Sequence, residues 1–206
     1  MPTSESLQGR WPSASLRAGA HLACLVPFLL WTWRAWHAQL GADPIAELTH
    51  ASGDWALRFL LGCLAMTPLR RASGWRWPIQ YRRMLGLYGF FYASVHLAIY
   101  LVLDLGGYWA QILDDILKRP FITVGFLAWL LLIPLALTST RAAMRWLGRR
   151  WGQLHKLVYL IAALGILHFL WLVKADLSEP LIYLAVFVLL MLMRIRGGQL
   201  RFKRPG

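Results

Sequence analysis

Long apolar blocks, separated by short charged loops, constrain the fold of this chain more than any other feature. Of its 206 residues, 58% are hydrophobic. Backbone N–H and C=O groups find no water inside a bilayer, so a chain crosses it only as helices or as a closed barrel. The longer blocks have the roughly 20 residues that a spanning helix needs. The pattern therefore predicts an all-α, polytopic membrane protein.

We predict six spanning helices packed as a bundle, because the loops are short and consecutive helices should lie antiparallel. The predicted helices cover residues 17–36, 54–70, 83–103, 121–138, 152–173 and 180–195. The second contains Arg58, but an acidic loop precedes it and a basic loop follows it, so a span should separate the two. Residues 139–150 resemble a short interfacial helix. The transmembrane domain is then 17–196, between a polar tail (1–16) and a basic tail (197–206).

The distribution of charge orients the bundle. Basic residues cluster in 10–17, 70–83, 141–156 and 194–204, whereas every acidic residue except Glu5 falls in 43–54, 104–115 or 176–179. Cytoplasmic loops of membrane proteins carry the excess of Lys and Arg, so both termini are predicted to face the cytoplasm. The net charge of +13 is explained by topology and by contact with an anionic lipid bilayer. We therefore expect no nucleic acid as a partner.

Two histidines lie at the same predicted depth inside apolar helices. His96 precedes Asp104 by eight residues, and His168 precedes Asp176 by eight, on helices that run in the same direction. Ionisable side chains within a membrane are costly and usually functional, and imidazole is a common axial ligand of haem iron. The pair predicts a metal or haem site between the third and fifth helices, in the outer half of the membrane. The alternative is two unrelated histidines, each hydrogen-bonded to a carbonyl.

A third histidine, His155, lies 13 residues before His168 and about 20 Å deeper. At 100° per residue the two side chains fall on different faces, so a shared face needs a distorted turn, for example near Gly165. The level positions on the third helix are Arg82 and Arg83, and no second histidine pair is completed there. His155 could ligate a metal with another partner, or contact a cofactor, a quinone or a propionate.

Arg58 has two interpretations. It follows Asp54 by four residues and could form an ion pair on the helix surface. It could also bind a haem propionate near the outer face. The sequence has neither a P-loop nor a G-x-G-x-x-G motif. Electrons for a haem would therefore have to come from a lipid-soluble carrier or from a separate protein.

Four segments resemble a known family: GDWALRFLLGCLAMTPLR (53–70), RRMLGLYGFFYASVHLAIY (82–100), KRPFITVG (118–125) and LGRRWGQLHKLVYLIAALGILHFLW (147–171). They are similar to the MsrQ (YedZ) family, the haem-binding membrane subunits of bacterial periplasmic methionine sulfoxide reductase systems, within the wider ferric-reductase-like transmembrane domains. The resemblance extends over about 17–196. It implies a six-helix, multi-pass protein of the bacterial inner membrane that carries b-type haem and FMN.

The resemblance also implies a function. Such a protein passes electrons from the quinone pool or a cytosolic flavin reductase to a periplasmic molybdopterin-containing reductase, which repairs oxidised methionine in periplasmic proteins. The chain would then be an electron-transfer subunit and not the subunit that reduces the substrate. A self-contained ferric or quinone reductase of the same fold is the main alternative; a haem-free transporter and a structural anchor are others.

Matched position by position, the resemblance makes His96 and His168 the outer haem ligands and His155 the third functional histidine. The family pattern of two histidines on each of two helices lacks its fourth member here. The resemblance does not locate the FMN. Arginines on the inner face suit its phosphate or a propionate: Arg70, Arg71, Arg76, Arg82, Arg83, Arg149 and Arg150.

Overall fold

The computed structural model describes residues 14–173 and 175–202, and within them it contains nine α-helices, one π-helical turn and no strand. Residues 1–13 of the predicted N-terminal tail and 203–206 of the basic tail lie outside this description. The helices are α1 (Ala14–Trp36), α2 (Pro44–Ser73), α3 (Trp77–Ile99), α4 (Trp109–Lys118), α5 (Pro120–Leu137), α6 (Arg141–Leu147), α7 (Arg149–Leu154), α8 (Leu157–Leu172) and α9 (Ser178–Phe202).

Five helical stretches of the described chain are long and apolar enough to cross a membrane, judged by length and composition. They are Ala14–Trp36, Trp77–Asp104, Pro120–Leu137, Arg149–Leu172 and Ser178–Ile195. The prediction of an all-helical, multi-pass membrane protein is thus confirmed. The predicted second span lies within α2, which is not one of the five, so the count of six stays a prediction. Nine residues of α2 are buried among its neighbours, so much of this helix faces protein rather than lipid.

α2 begins ten residues before the predicted span, at Pro44. Asp43 caps its first turn by accepting a hydrogen bond from the Ala46 N–H at 3.0 Å, and Pro44 occupies a first-turn position where no N–H is needed. The helix ends at Ser73 and is followed by Gly74, whose φ of 72° is the left-handed conformation that glycine adopts without strain. Both ends of α2 are therefore determined by neighbouring residues, although the hydrophobic pattern did not indicate that the helix begins at Pro44.

Glu47 ties the loop after α1 to the start of α2. Its carboxylate accepts a hydrogen bond from the Gly41 N–H at 2.8 Å and forms an ion pair with Arg34 at 2.7 Å. The Gly41 hydrogen bond, with a contribution from the Arg34 charge, lowers the pKa of Glu47 below its ordinary value. The ionised carboxylate therefore favours the folded loop.

The amphipathic helix α4 was not predicted, because it is too short to resemble a span. α3 first continues into a π-helical turn, Tyr100–Asp104, and α4 then lies beside α5. The Tyr100 hydroxyl donates to the carboxylate of Asp115 at 3.0 Å, which anchors α4 to the π-helical turn. Leu113 and Leu117 are left exposed on the far side of α4. That apolar face suits a position at a membrane surface.

The helix predicted at 152–173 is interrupted. α7 ends at Leu154, a turn follows at His155 and Lys156, and α8 begins at Leu157. The distorted turn suggested near Gly165 is therefore wrong in position, since Gly165 lies within regular α8. The interfacial helix expected at 139–150 is confined to α6, because Gly148 (φ 49°) separates α6 from α7.

Two helix pairs build the bundle: α2 packs along α3, and α5 packs along α8. α3 also contacts α5, and α9 contacts α2 and α8. The largest buried cluster lies where the pairs meet, and it contains Leu60, Leu61, Leu64, Ala128, Leu132, Leu135, Val158, Ile161, Ala162 and Leu190. The core of the bundle is thus built by α2, α5, α8 and α9.

α1 is attached to the bundle through Tyr92 of α3. Tyr92 is fully buried, and its hydroxyl donates to the Cys24 carbonyl at 2.8 Å and accepts from the Phe28 N–H at 3.2 Å. These two groups are the acceptor and the donor of one helical turn, which contains Pro27. The Tyr92 hydroxyl therefore binds both polar groups of this turn and joins α1 to α3.

Candidate functional site

His96 on α3 and His168 on α8 face each other across the gap between the two helix pairs. Their ring centroids are 6.1 Å apart, and their ring planes are nearly perpendicular at 81°. The fold therefore brings together the two histidines that the sequence predicted to be level.

The hydrogen bonds of the two rings fix their tautomers. His96 Nδ1 lies 2.9 Å from the carbonyl oxygen of Thr49, and His168 Nδ1 lies 2.7 Å from that of Phe121. A carbonyl oxygen only accepts, so Nδ1 of each neutral ring carries the proton and donates it. Nε2 then keeps its lone pair. Metal-binding histidines adopt this arrangement, in which the second ring nitrogen is held by a carbonyl or carboxylate.

Each ring rests against a helix glycine. A β-carbon at Gly53 would lie 3.2 Å from Nδ1 and Cε1 of His96. A β-carbon at Gly125 would lie 2.7 Å from Nδ1 of His168, which is closer than real side chains approach. Sequence reasoning missed both glycines. The signal that could have found them is the recurrence of glycine 43 residues before each histidine.

A cavity of about 610 Å³ lies beside the two rings. Its size falls within the range of about 300 to 1,000 Å³ that is usual for cofactor sites. Apolar side chains of four helices form most of its wall: Ala56, Leu57, Leu60, Ala93, Leu97, Ile122, Ala128, Leu132, Ile161 and Phe169. Charged and polar residues of the acidic-loop end line its mouth: Asp43, His50, Asp54, Asp104 and Arg119. The site is thus apolar within and polar at one opening.

The geometry fits an iron atom held between two imidazoles. An imidazole nitrogen binds a metal at about 2 Å, so two rings on opposite sides of one ion have centroids about 6 Å apart. The observed separation is 6.1 Å. Among the described residues, no group of three or more His, Cys, Asp or Glu side chains could hold a bare ion. A haem needs only the two axial ligands, because its macrocycle supplies the other four, and the cavity offers room for it.

Arg58 is held away from the wall of this cavity. Its Nε donates to the Tyr183 hydroxyl at 3.0 Å, its Nη2 pairs with Asp54 at 3.3 Å, and its guanidinium lies 5.1 Å from the Trp55 ring centroid. The i, i+4 pair with Asp54 is therefore formed. Binding of a propionate by Arg58 stays a prediction, and Arg119 and His50 are the basic side chains that line the mouth.

His155 lies outside the histidine cavity, in the turn between α7 and α8. Its Nε2 is 3.0 Å from Thr138 Oγ1, and its ring stacks on Trp151 with centroids 4.0 Å apart. Trp151 also donates its indole N–H to the Thr138 carbonyl at 2.9 Å. None of the other histidines in the described chain contacts the His155 ring.

The predicted inner-face arginines are not gathered into one site. Arg82 lines a second cavity, of about 500 Å³, together with Arg70 and Arg71, and no carboxylate shares its wall. Arg83, Arg149 and Arg150 are exposed and do not line it. The hydroxyl of Thr67, also in this wall, is buried without a hydrogen bond in the described structure. The second cavity is therefore suited to an anion.

The fold and the histidine cavity define a class: a multi-pass helical membrane protein with a cofactor-sized site between two paired histidines. Residues 52–166 match the family model of the ferric reductase like transmembrane component. Curated relatives named protein-methionine-sulfoxide reductase heme-binding subunit MsrQ match most of the chain. The chain therefore belongs to the MsrQ family of ferric-reductase-like membrane proteins, which confirms the resemblance.

The similarity is extensive in each relative. The protein of Xanthomonas euvesicatoria is 56% identical over 181 residues, which are 85% of this chain and 83% of the relative. That of Xanthomonas campestris strain 8004 is 54% identical over 185 residues (87% and 85%). That of Rhodospirillum rubrum is 49% identical over 180 residues (87% and 86%). No solved structure matches the chain.

Proposed function

We propose that this chain is a transmembrane electron-transfer haemoprotein, the membrane subunit of a methionine sulfoxide reductase system. One observation carries the proposal: His96 and His168 face each other at 6.1 Å, each with Nδ1–H bound to a carbonyl and Nε2 free to ligate. The relatives' name, heme-binding subunit, describes the same chemistry in proteins about half identical to this one.

His96 and His168 would hold a b-type haem through their unbonded ring nitrogens. The bound haem supplies a centre that accepts and releases one electron at a time. The protein contributes two neutral imidazoles fixed in one tautomer and apolar walls that keep water from the site. Low polarity and axial ligation are the means by which a protein tunes such a centre.

The proposed orientation puts this site near the periplasmic surface. The mouth of the cavity opens among the acidic residues of the loops predicted to face outward, including Asp43 and Asp104. We propose that α2 is the sixth span and that both termini face the cytoplasm of a bacterium, across its inner membrane. Electrons would leave through this mouth for a periplasmic molybdopterin-containing reductase that acts on oxidised methionine.

We propose that electrons enter at the opposite, basic end. The cavity lined by Arg70, Arg71 and Arg82 suits the phosphate of FMN, because three cations face it without a carboxylate. Arg83, Arg149 and Arg150 would attract an anionic donor or lipid at the same face. The donor would be a quinone or a cytosolic flavin reductase. His155 has no second histidine beside it in the described chain, so we propose one haem. His155 would then contact a cofactor or a quinone at the inner face.

The ligand assignment is tested by absorption spectroscopy of protein purified from haem-replete cells. We expect a reducible b-type spectrum, and its loss or conversion in His96→Ala and in His168→Ala. His37→Ala is the matched control, because His37 also donates Nδ1–H to a helix carbonyl, that of Trp33 at 2.9 Å, but does not line the cavity. A colourless wild-type protein, or full retention of the spectrum in both variants, refutes the assignment.

The electron-transfer role is tested with the periplasmic reductase. The dithionite-reduced membrane protein, freed of excess reductant and kept under anaerobic conditions, should be fully reoxidised by a catalytic amount of the reductase only when a methionine sulfoxide substrate is also present. Rapid turnover with ferric chelates or quinone alone, and none with the reductase, would instead support the self-contained reductase.

A further inference from the structure

The two histidines are supported in the same way by different helices. Thr49 precedes Gly53 by four residues on α2, and Phe121 precedes Gly125 by four on α5. In both cases the histidine Nδ1 bonds to the carbonyl four residues before the glycine, and the bonded residues are 47 positions apart in both cases. In both cases the imidazole also lies against the glycine itself.

Helix geometry explains why glycine is needed at these positions. A side chain on an α-helix leans back over the preceding turn, so the residue at position i shields the carbonyl at i−4. That carbonyl already accepts the helical N–H of residue i but keeps a second lone pair. Glycine leaves this side of the carbonyl uncovered, so the imidazole N–H can reach it from a neighbouring helix. At Thr49 the carbonyl also accepts the Ser52 hydroxyl at 2.9 Å.

The repetition extends to the walls of the cavity. Thr49, Gly53 and His96 each have a counterpart 72 positions later, namely Phe121, Gly125 and His168. Further lining residues obey the same offset: Ala56 and Ala128, Leu60 and Leu132, Ala93 and Gly165. The α2–α3 pair and the α5–α8 pair thus place matching residues at several positions of the wall, and the glycine support occurs once in each.

We propose that Gly53 and Gly125 are positioning residues for the two haem ligands. Each admits an imidazole to a helix carbonyl, which fixes the Nδ1–H tautomer, aims Nε2 into the cavity and sets the near-perpendicular ring planes. The hydrogen bond also makes the imidazole a stronger electron donor. The two glycines therefore help to set the reduction potential of the site. This inference rests on the proposed function.

The structure predicts unequal effects for the two substitutions. Gly125→Ala places a β-carbon 2.7 Å from Nδ1, 2.9 Å from Cε1 and 3.0 Å from Cγ of His168, so the ring must move away from the Phe121 carbonyl. Gly53→Ala makes contacts of 3.2 Å with His96, which a shift of a few tenths of an ångström relieves. Gly125→Ala should therefore have the larger effect.

The test compares purified Gly53→Ala and Gly125→Ala in absorption, electron paramagnetic resonance and redox titration. A weakened Nδ1–H bond reduces donation to the ferric iron, so the midpoint potential should rise, slightly for Gly53→Ala and more for Gly125→Ala. Gly125→Ala should also change the low-spin resonance signal. The matched control is Gly62→Ala on α2, whose β-carbon would meet only Leu85 at an ordinary 3.7 Å. It should keep the wild-type potential and signal.

The outcomes separate this inference from the proposed function. Wild-type protein without a bis-histidine haem spectrum refutes the function. A wild-type haem signal, with potential and resonance unchanged in both glycine variants, refutes the positioning role and leaves the function standing. The positioning role is also refuted if Gly62→Ala shifts the midpoint potential and the resonance signal as much as the two other glycine variants do. Helix packing alone would then account for the shifts. If Gly125→Ala does not fold, the milder Gly53→Ala decides: a raised potential supports the inference, and an unchanged one refutes it.

Discussion

Replacing Tyr92 by phenylalanine should destabilise the protein without changing the histidine site. The substitution removes only the hydroxyl that bridges the Cys24 carbonyl and the Phe28 N–H. The ring stays in place, stacked on Phe59 with centroids 5.2 Å apart. The cost therefore comes from the two hydrogen bonds and not from a cavity.

The size of the loss follows from the burial of these groups. Tyr92 is fully buried, and a neutral hydrogen bond within a protein contributes about 1 kcal/mol net. Two bonds give an expected loss of about 2 kcal/mol. If α1 adjusts so that the Phe28 N–H bonds directly to the Cys24 carbonyl, one bond is recovered and the loss falls to about 1 kcal/mol.

The assay is urea unfolding in detergent micelles, followed by far-ultraviolet circular dichroism. Tyr88→Phe is the matched control, because its hydroxyl also makes two contacts with α1, donating to the His21 carbonyl at 3.2 Å and lying 3.0 Å from His21 Nδ1, but at an exposed position. We expect a loss of about 0.5 kcal/mol for the control. Equal losses in the two variants, or a negligible loss in Tyr92→Phe, would refute the bridging role of the buried hydroxyl.

Three further predictions concern the cavity, the inner histidine and the outer loop. Ala56→Phe should fill the cavity wall and lower haem content per protein by pyridine haemochrome assay, whereas Ala35→Phe, on exposed α1 surface, should not. Thr138→Val removes the hydrogen bond to His155 and should leave the main haem spectrum unchanged, because that pair lies outside the histidine cavity. Because the pKa of Glu47 is lowered on folding, its contribution is present above the unfolded value of 4.5 and is lost as the pH falls through the folded pKa. Glu47→Gln should therefore unfold more easily than wild type at neutral pH, and the two unfolding curves should converge in acid.

The matching membrane depth of His96 and His168 could be predicted because it depends only on features that are local in the sequence. The rise of a helix is fixed, and the charged loops mark the ends of the spans. The carbonyl and glycine that support each ring could not be predicted in this way. They lie on helices distant in sequence, and their role depends on which helix packs beside which.

The other differences between the predicted and the observed helices also have causes that are local in the chain. Asp43 and Pro44 are a helix-start signal that the hydrophobic pattern of the span obscured. α4 is amphipathic and only ten residues long, so a search for spans passes over it. Position 155 holds neither proline nor glycine, so the sequence does not indicate the break between α7 and α8. The structure explains the break, because Thr138 and Trp151 hold the His155 ring in the turn.

The most direct test of the central claim is the electron paramagnetic resonance spectrum of the ferric protein. Perpendicular imidazole planes leave two iron d orbitals nearly equal in energy, so the 81° angle between the rings predicts a highly anisotropic low-spin signal. The signal should be lost in both His96→Ala and His168→Ala and kept in His37→Ala. A wild-type protein that shows only high-spin iron, or no haem after haem-replete expression, would contradict the assignment of His96 and His168 as paired axial ligands.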